Sequence, residues 1–154
     1  MFSKKNILKI IIVFWMFLIF MLSNQPSDDS TRLSDGVIEK TIGNVYKLFH
    51  GDVTDEKIIE IQNTYSHITR KTAHFTIYLI LGLFVGLLLN EYNISSKQLM
   101  FYGILICMMY AITDEVHQMF VVGRSGEIKD VFIDTCGAAI GNMIIYIILR
   151  KRNK

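Results

Sequence analysis

The sequence predicts an all-α integral membrane fold, with four transmembrane helices and extracytoplasmic amphipathic helices between the first and second spans. Three observations predict it. Hydrophobic residues make up 51% of the 154-residue chain, and they come in blocks rather than at a helical or strand period, the pattern of lipid-facing spans. Backbone polar groups inside such blocks must be satisfied internally, so helices are the expected form. The basic residues bunch at the two ends, as Lys4, Lys5 and Lys9 and as Arg150, Lys151, Arg152 and Lys154. Flanking an apolar block, that bunching marks the cytoplasmic side.

The length fits one domain over residues 1–154. The expected spans lie at about 7–22, 73–90, 98–116 and 130–149, with a polar segment at 23–70. The first block, "ILKIIIVFWMFLIFML", has the basic start of a signal peptide, but "SNQPSDDS" after it offers no A-x-A-like cleavage site. It reads as an uncleaved anchor. In the polar segment, Val37, Ile38, Ile42, Val45, Leu48 and Phe49 share one helical face, with Ser34 as a cap. A second stripe follows at Ile58, Ile61, Tyr65 and Ile68, where Asp52 and Asp55 resemble a capping box. This second helix is expected to run directly into the second span. Gly82 and Gly86, like Gly137 and Gly141, form GxxxG pairs, which read as plain close packing.

Four spans put both termini on one side, and the basic ends make that side the cytoplasm of a multi-pass cell-membrane protein. Lys97, in the short loop 90–98, agrees. Arg70, Lys71, Arg124 and Lys129 do not, because they crowd the outer boundary. Their placement against the trend suggests that a site holds them there. A net charge of +2 with basic clusters beside apolar blocks excludes a nucleic-acid binder. Cys107 and Cys136 lie inside apolar blocks without CxxC spacing, so no disulfide framework is expected. Nothing in the sequence sets an oligomeric state.

The ionisable residues converge on one boundary. The first span ends in Ser23, Asn24 and Gln25, and the second begins with Arg70, Lys71 and His74. Arg70, His74 and Tyr78 are spaced i, i+4 and share a face. The third ends with Tyr110, Asp114, Glu115, His117 and Gln118, and the fourth begins with Asp130 and Asp134. Antiparallel neighbours joined by the short loop 119–129, which carries Arg124, bring these groups together. Asp134 lies about one turn inside its span. There an ionised carboxylate costs roughly 2.5–3.5 kcal/mol on insertion scales. Intramembrane ionisable groups are functional by default. No cofactor is expected. A zinc site built from His74, His117 and carboxylates is the second choice, because no HExxH or Cys/His ligand spacing supports it. Ser125 lacks a G-x-S-x-G setting, so a serine nucleophile has little support.

The stretches "SNQ" at 23–25, "RKTAHFTIYLILG" at 70–82, "DEVHQMFVVGR" at 114–124 and "DVFIDTCGAAIG" at 130–141 resemble the VanZ-like family of small bacterial membrane proteins. Position 134 is often Asn in that pattern, so Asp134 here keeps a polar group and adds charge. The resemblance implies a multi-span membrane protein, in a family whose namesake lowers sensitivity to the glycopeptide antibiotic teicoplanin.

Three functions fit these residues. In an enzyme acting on a lipid-linked or phosphorylated envelope substrate, Arg124, Lys71 and Arg70 hold the anion by forked or point charges. Glu115 and His117 are then the candidate general base and acid, and Asp114 orients His74 or His117. In a non-catalytic binder the same pocket, with Tyr78, Gln25, Gln118, Asp130 and Asp134, grips a lipid headgroup, an antibiotic's lipid-bearing part or a partner protein. In the third, the ionic network only pins the helices.

Overall fold

Lipid leaves a spanning backbone no partner but itself, and the apolar blocks fold accordingly as helices. The structure, a computed structural model, describes residues 3–25, 55–124 and 126–152, the stretches 55–67 and 150–152 as helix backbone alone. It contains α1 (Lys4–Ser23), α2 (Asp55–Asn90), α3 (Ser96–Gln118) and α4 (Ile128–Arg152), with no strand among the described residues. Four stretches are long and apolar enough to cross a membrane: Lys4–Ser23, Ile68–Asn90, Ser96–Gln118 and Ile128–Leu149. The chain is a multi-pass membrane protein.

Each observed span outruns its apolar block, because a helix continues until something caps it. Ser3 starts α1 by accepting the Asn6 N–H at 3.3 Å. A capping box starts α3. Ser95 Oγ accepts the Gln98 N–H at 3.3 Å, and Gln98 Oε1 accepts the Ser95 N–H at 3.0 Å. Between α2 and α3, Asn93 turns the chain at φ 53°, a left-handed conformation that asparagine tolerates.

At 36 residues, α2 is about 54 Å long, well beyond the roughly 30 Å hydrocarbon core. It is continuous from Asp55, so the segment expected to lead into the second span does so without a break. The helix expected over residues 37–49, with Ser34 as its cap, lies outside the described residues, as do Asp52, Ser125 and the side chains of Ile58, Ile61 and Tyr65.

α4 packs along α2 and against α3, and α1 lies mainly on α2. The α2–α4 contact depends on glycine. A Cβ on Gly82 would collide with the Ala138 carbonyl oxygen, and one on Gly141 with that of Leu79. The two GxxxG pairs therefore serve backbone approach between these two helices. Around the contact lies an apolar core of Ile12, Ile19, Tyr78, Leu81, Val85, Cys107, Ala111 and Ala138. Bonds midway along α1 tie it to the bundle: Trp15 Nε1 donates to the Ile77 carbonyl at 2.9 Å, and Tyr110 OH to the Met16 carbonyl at 2.5 Å. Outward-facing Val13 and Phe132 are 66% and 69% exposed, as lipid-facing side chains should be.

Candidate functional site at one end of the bundle

The C-terminal ends of α1 and α3, the start of α4 and the stretch of α2 around residues 70–78 meet at one end. Asp114 organises the interior of this end. It is 3% exposed. Its Oδ2 accepts from Ser23 Oγ at 2.9 Å, Tyr78 OH at 3.2 Å and Gln118 Nε2 at 3.4 Å. One oxygen of α3 thus gathers α1, α2 and its own helix. Asp114 Oδ1 has no hydrogen-bond partner. Tyr78, spaced i+4 from His74, lies deeper than His74 and is fully buried.

Beside this network is a cavity of about 60 Å³, lined by Arg70, Lys71, His74, Gln118, Arg124, Glu127, Asp130 and Asp134 among others. Its cations divide into two kinds. Lys71 is committed to carboxylates, with Nζ 2.7 Å from Asp130 Oδ1 and 3.6 Å from Glu127 Oε2. Among the described residues Arg124 bonds only neutral oxygens, through Nε to the Gln25 carbonyl at 2.9 Å and Nη1 to Gln118 Oε1 at 3.1 Å. Among the described residues neither Arg70 nor Arg124 ion-pairs with a carboxylate. Burial, and then the like charge of Arg70, lower the Arg124 guanidinium below its ordinary value. Guanidinium nevertheless stays protonated in proteins.

His74, Asp114 and Asp134 come from α2, α3 and α4. One possible ligand atom from each lies within 4.8 Å of the other two. Asp134 is 1% exposed, and neither of its oxygens has a hydrogen-bond partner. Its nearest approach is to His74, at 3.7 Å from Nδ1 to Oδ2, too long for a hydrogen bond.

The other expected residues lie apart from the cavity lining. Glu115 is buried, and its Oε1 accepts the backbone N–H of Glu127 at 2.6 Å, anchoring the loop where it enters α4. It borders a separate apolar groove of about 370 Å³ between α3 and α4, with Ile112, Val116, Met119, Gly126 and Val131. His117 faces α1: its ring stacks on Phe20 with centroids 4.3 Å apart, and Nε2 lies 3.2 Å from Asn24 Oδ1. Gln25 contributes its main-chain carbonyl to Arg124.

Two residues with structural parts to play are not among the candidate catalytic or binding residues read from the sequence. Ser23 reads in the sequence only as the polar end of a span, yet it is fully buried on Asp114. Its place in "SNQ" is the signal that points to it. Glu127 follows a glycine in a polar loop, with nothing to distinguish it from a solvated charge.

No curated protein and no solved structure matches the chain significantly. The family model described as VanZ/LLP1 matches residues 8–150. That range takes in all the described side chains at this end of the bundle, and the chain belongs to that family.

Proposed function

We propose that the chain binds the anionic headgroup of a lipid-linked envelope molecule in the cavity beside Arg70 and Arg124, at the outer membrane boundary. One observation carries the reading: two guanidiniums line a single cavity without a carboxylate partner among the described residues. Like charges held together in a partly buried place favour a bound anion, and a guanidinium fork matches phosphate or carboxylate oxygens. The apolar groove supports a lipid as the carrier of that anion. Glu127 borders both the groove and the cavity, so headgroup and chain would lie on either side of one residue. Orientation follows the basic ends, which put both termini in the cytoplasm and this end of the bundle outside. From there the protein alters susceptibility to teicoplanin by holding an envelope lipid rather than the drug's peptide part.

The test has two parts. Purified protein in phosphatidylcholine nanodiscs is titrated with a polyprenyl phosphate and with the corresponding neutral polyprenol. Tight binding of the phosphate alone, weakened at least tenfold by Arg124→Ala, is the expected result. Equal binding of both lipids would sink the headgroup reading. In a host lacking the protein, wild type should protect against teicoplanin, and Arg124→Ala at matched membrane levels should not.

A structural reading is favoured for one part of the site. Lys71 bridges α2 to Asp130 and Glu127, its charge taken up by these two carboxylates, which suits a clasp between α2 and the start of α4.

A further inference from the structure

We propose that His74, Asp114 and Asp134 hold a divalent transition-metal ion, zinc or manganese, at the floor of the cavity. Three helices deliver one ligand atom each into a space no more than 4.8 Å across. In a tetrahedral site with metal–ligand bonds of about 2.0–2.2 Å, ligand atoms are separated by roughly 3.3–3.6 Å. The widest of the three separations would have to close by about an ångström to form such a site.

Burial and orphaned lone pairs give the cluster its direction. Asp134 is 1% exposed and both its oxygens lack partners. Asp114 Oδ1 and His74 Nδ1 are unpartnered as well. Unpaired carboxylate oxygens at this depth are expensive, and natural proteins rarely leave three of them together with an unpaired imidazole nitrogen. Of the nearby cations, Lys71 is paired with Asp130 and Glu127 and Arg124 donates to Gln118 and Gln25, and among the described residues no arginine or lysine ion-pairs with Asp114 or Asp134. A divalent ion would balance both carboxylates at once.

The surroundings of Asp114 match the outer shell of a metal ligand. Ser23, Tyr78 and Gln118 all donate to Oδ2, which fixes the carboxylate plane and leaves Oδ1 free. Such bonds typically orient a ligating carboxylate. One imidazole with two carboxylates suits zinc or manganese better than calcium or magnesium, which take oxygen alone. Three protein ligands leave coordination positions toward the cavity, which His74 and Asp134 also line. His117 is held on Phe20 and takes no part.

The full chain, without a polyhistidine tag, is purified in detergent from cells grown with zinc and manganese, and its metal content is measured by plasma mass spectrometry. Wild type should carry about one equivalent of one of these metals. Asp134→Asn and His74→Ala should lose it. Because these variants also alter a buried cluster that the fold could need, wild type is stripped with a chelator and returned to ZnCl2 or MnCl2. A rise in melting temperature with one of these salts, absent with MgCl2, is expected. Wild type with no stoichiometric metal, and no shift on adding either salt, would overturn the proposal and leave a proton shared by the two aspartates as the better account. Arg124→Ala should keep its metal, so loss of the headgroup reading and loss of the metal site give different results.

Discussion

The two ends of the helix bundle handle polar groups in opposite ways. At one end Lys4 pairs with Glu91 at 2.5 Å while its side chain remains 69% exposed, Lys5 lies over the Tyr92 ring, and Ser95 and Gln98 satisfy each other across a helix start. These groups are matched locally and wetted. At the other end Asp114 and Asp134 are 3% and 1% exposed, carry orphaned oxygens, and sit beside two arginines that have no carboxylate partner among the described residues. Exposed pairs contribute little to stability, whereas buried charge must be compensated. The first end is built as an ordinary membrane boundary. The second carries buried ionisable groups whose hydrogen bonds leave several oxygens unmatched, beyond what an ordinary membrane boundary holds.

Four changes test this contrast, and the largest effect is expected at Asp114. Asp114→Ala strands three buried donors, from Ser23, Tyr78 and Gln118. A loss of about 2–4 kcal/mol in unfolding free energy is expected, read from reversible unfolding in mixed micelles. A loss below about 0.5 kcal/mol would show that the network does not hold this end together.

Arg124→Ala should cost less stability, about 1–2 kcal/mol for its two bonds to neutral oxygens. Its main effect falls on anion binding, and Arg124→Lys should rescue that only in part, since an ammonium cannot replace the fork. Full rescue by lysine would mean that net charge alone attracts the ligand.

Glu115→Gln keeps an acceptor for the Glu127 N–H, so stability should fall by about 1 kcal/mol or less. Teicoplanin protection, measured at matched membrane levels, should survive. If protection vanishes while abundance and lipid binding hold, Glu115 takes part in chemistry and the protein is an enzyme. The smallest effect belongs to the plain end: Lys4→Ala should leave unfolding within about 0.5 kcal/mol of wild type. A larger loss would erase the contrast between the ends.

Much of this architecture is legible in the order of the residues. The helices follow from apolar blocks, and the short connections force antiparallel neighbours, so the polar ends have to meet. Within that end the spacing cannot choose among residues. Asp114, His117 and Gln118 lie within about one turn of α3, and all three read as one face. In the folded chain α1 decides: Phe20 and Asn24 take His117, while Ser23 joins Asp114 and Gln118 inside. Glu115 shows the same limit. Its sequence setting suits a catalytic base, and its carboxylate is occupied by a loop N–H from twelve residues on.

The sequence by itself determined the solvent this protein lives in, its four spans and the end where charge accumulates. Those follow from local composition, because lipid obliges each apolar segment to satisfy its own backbone. Tertiary structure alone decided which lone pairs are matched and which are left open. Gly82 and Gly141 bring α2 and α4 to backbone contact, and that approach sets His74 beside Asp134 and within reach of Asp114. A meeting of three helices at distances of a few ångströms depends on how they pack, which no spacing within a single helix can specify.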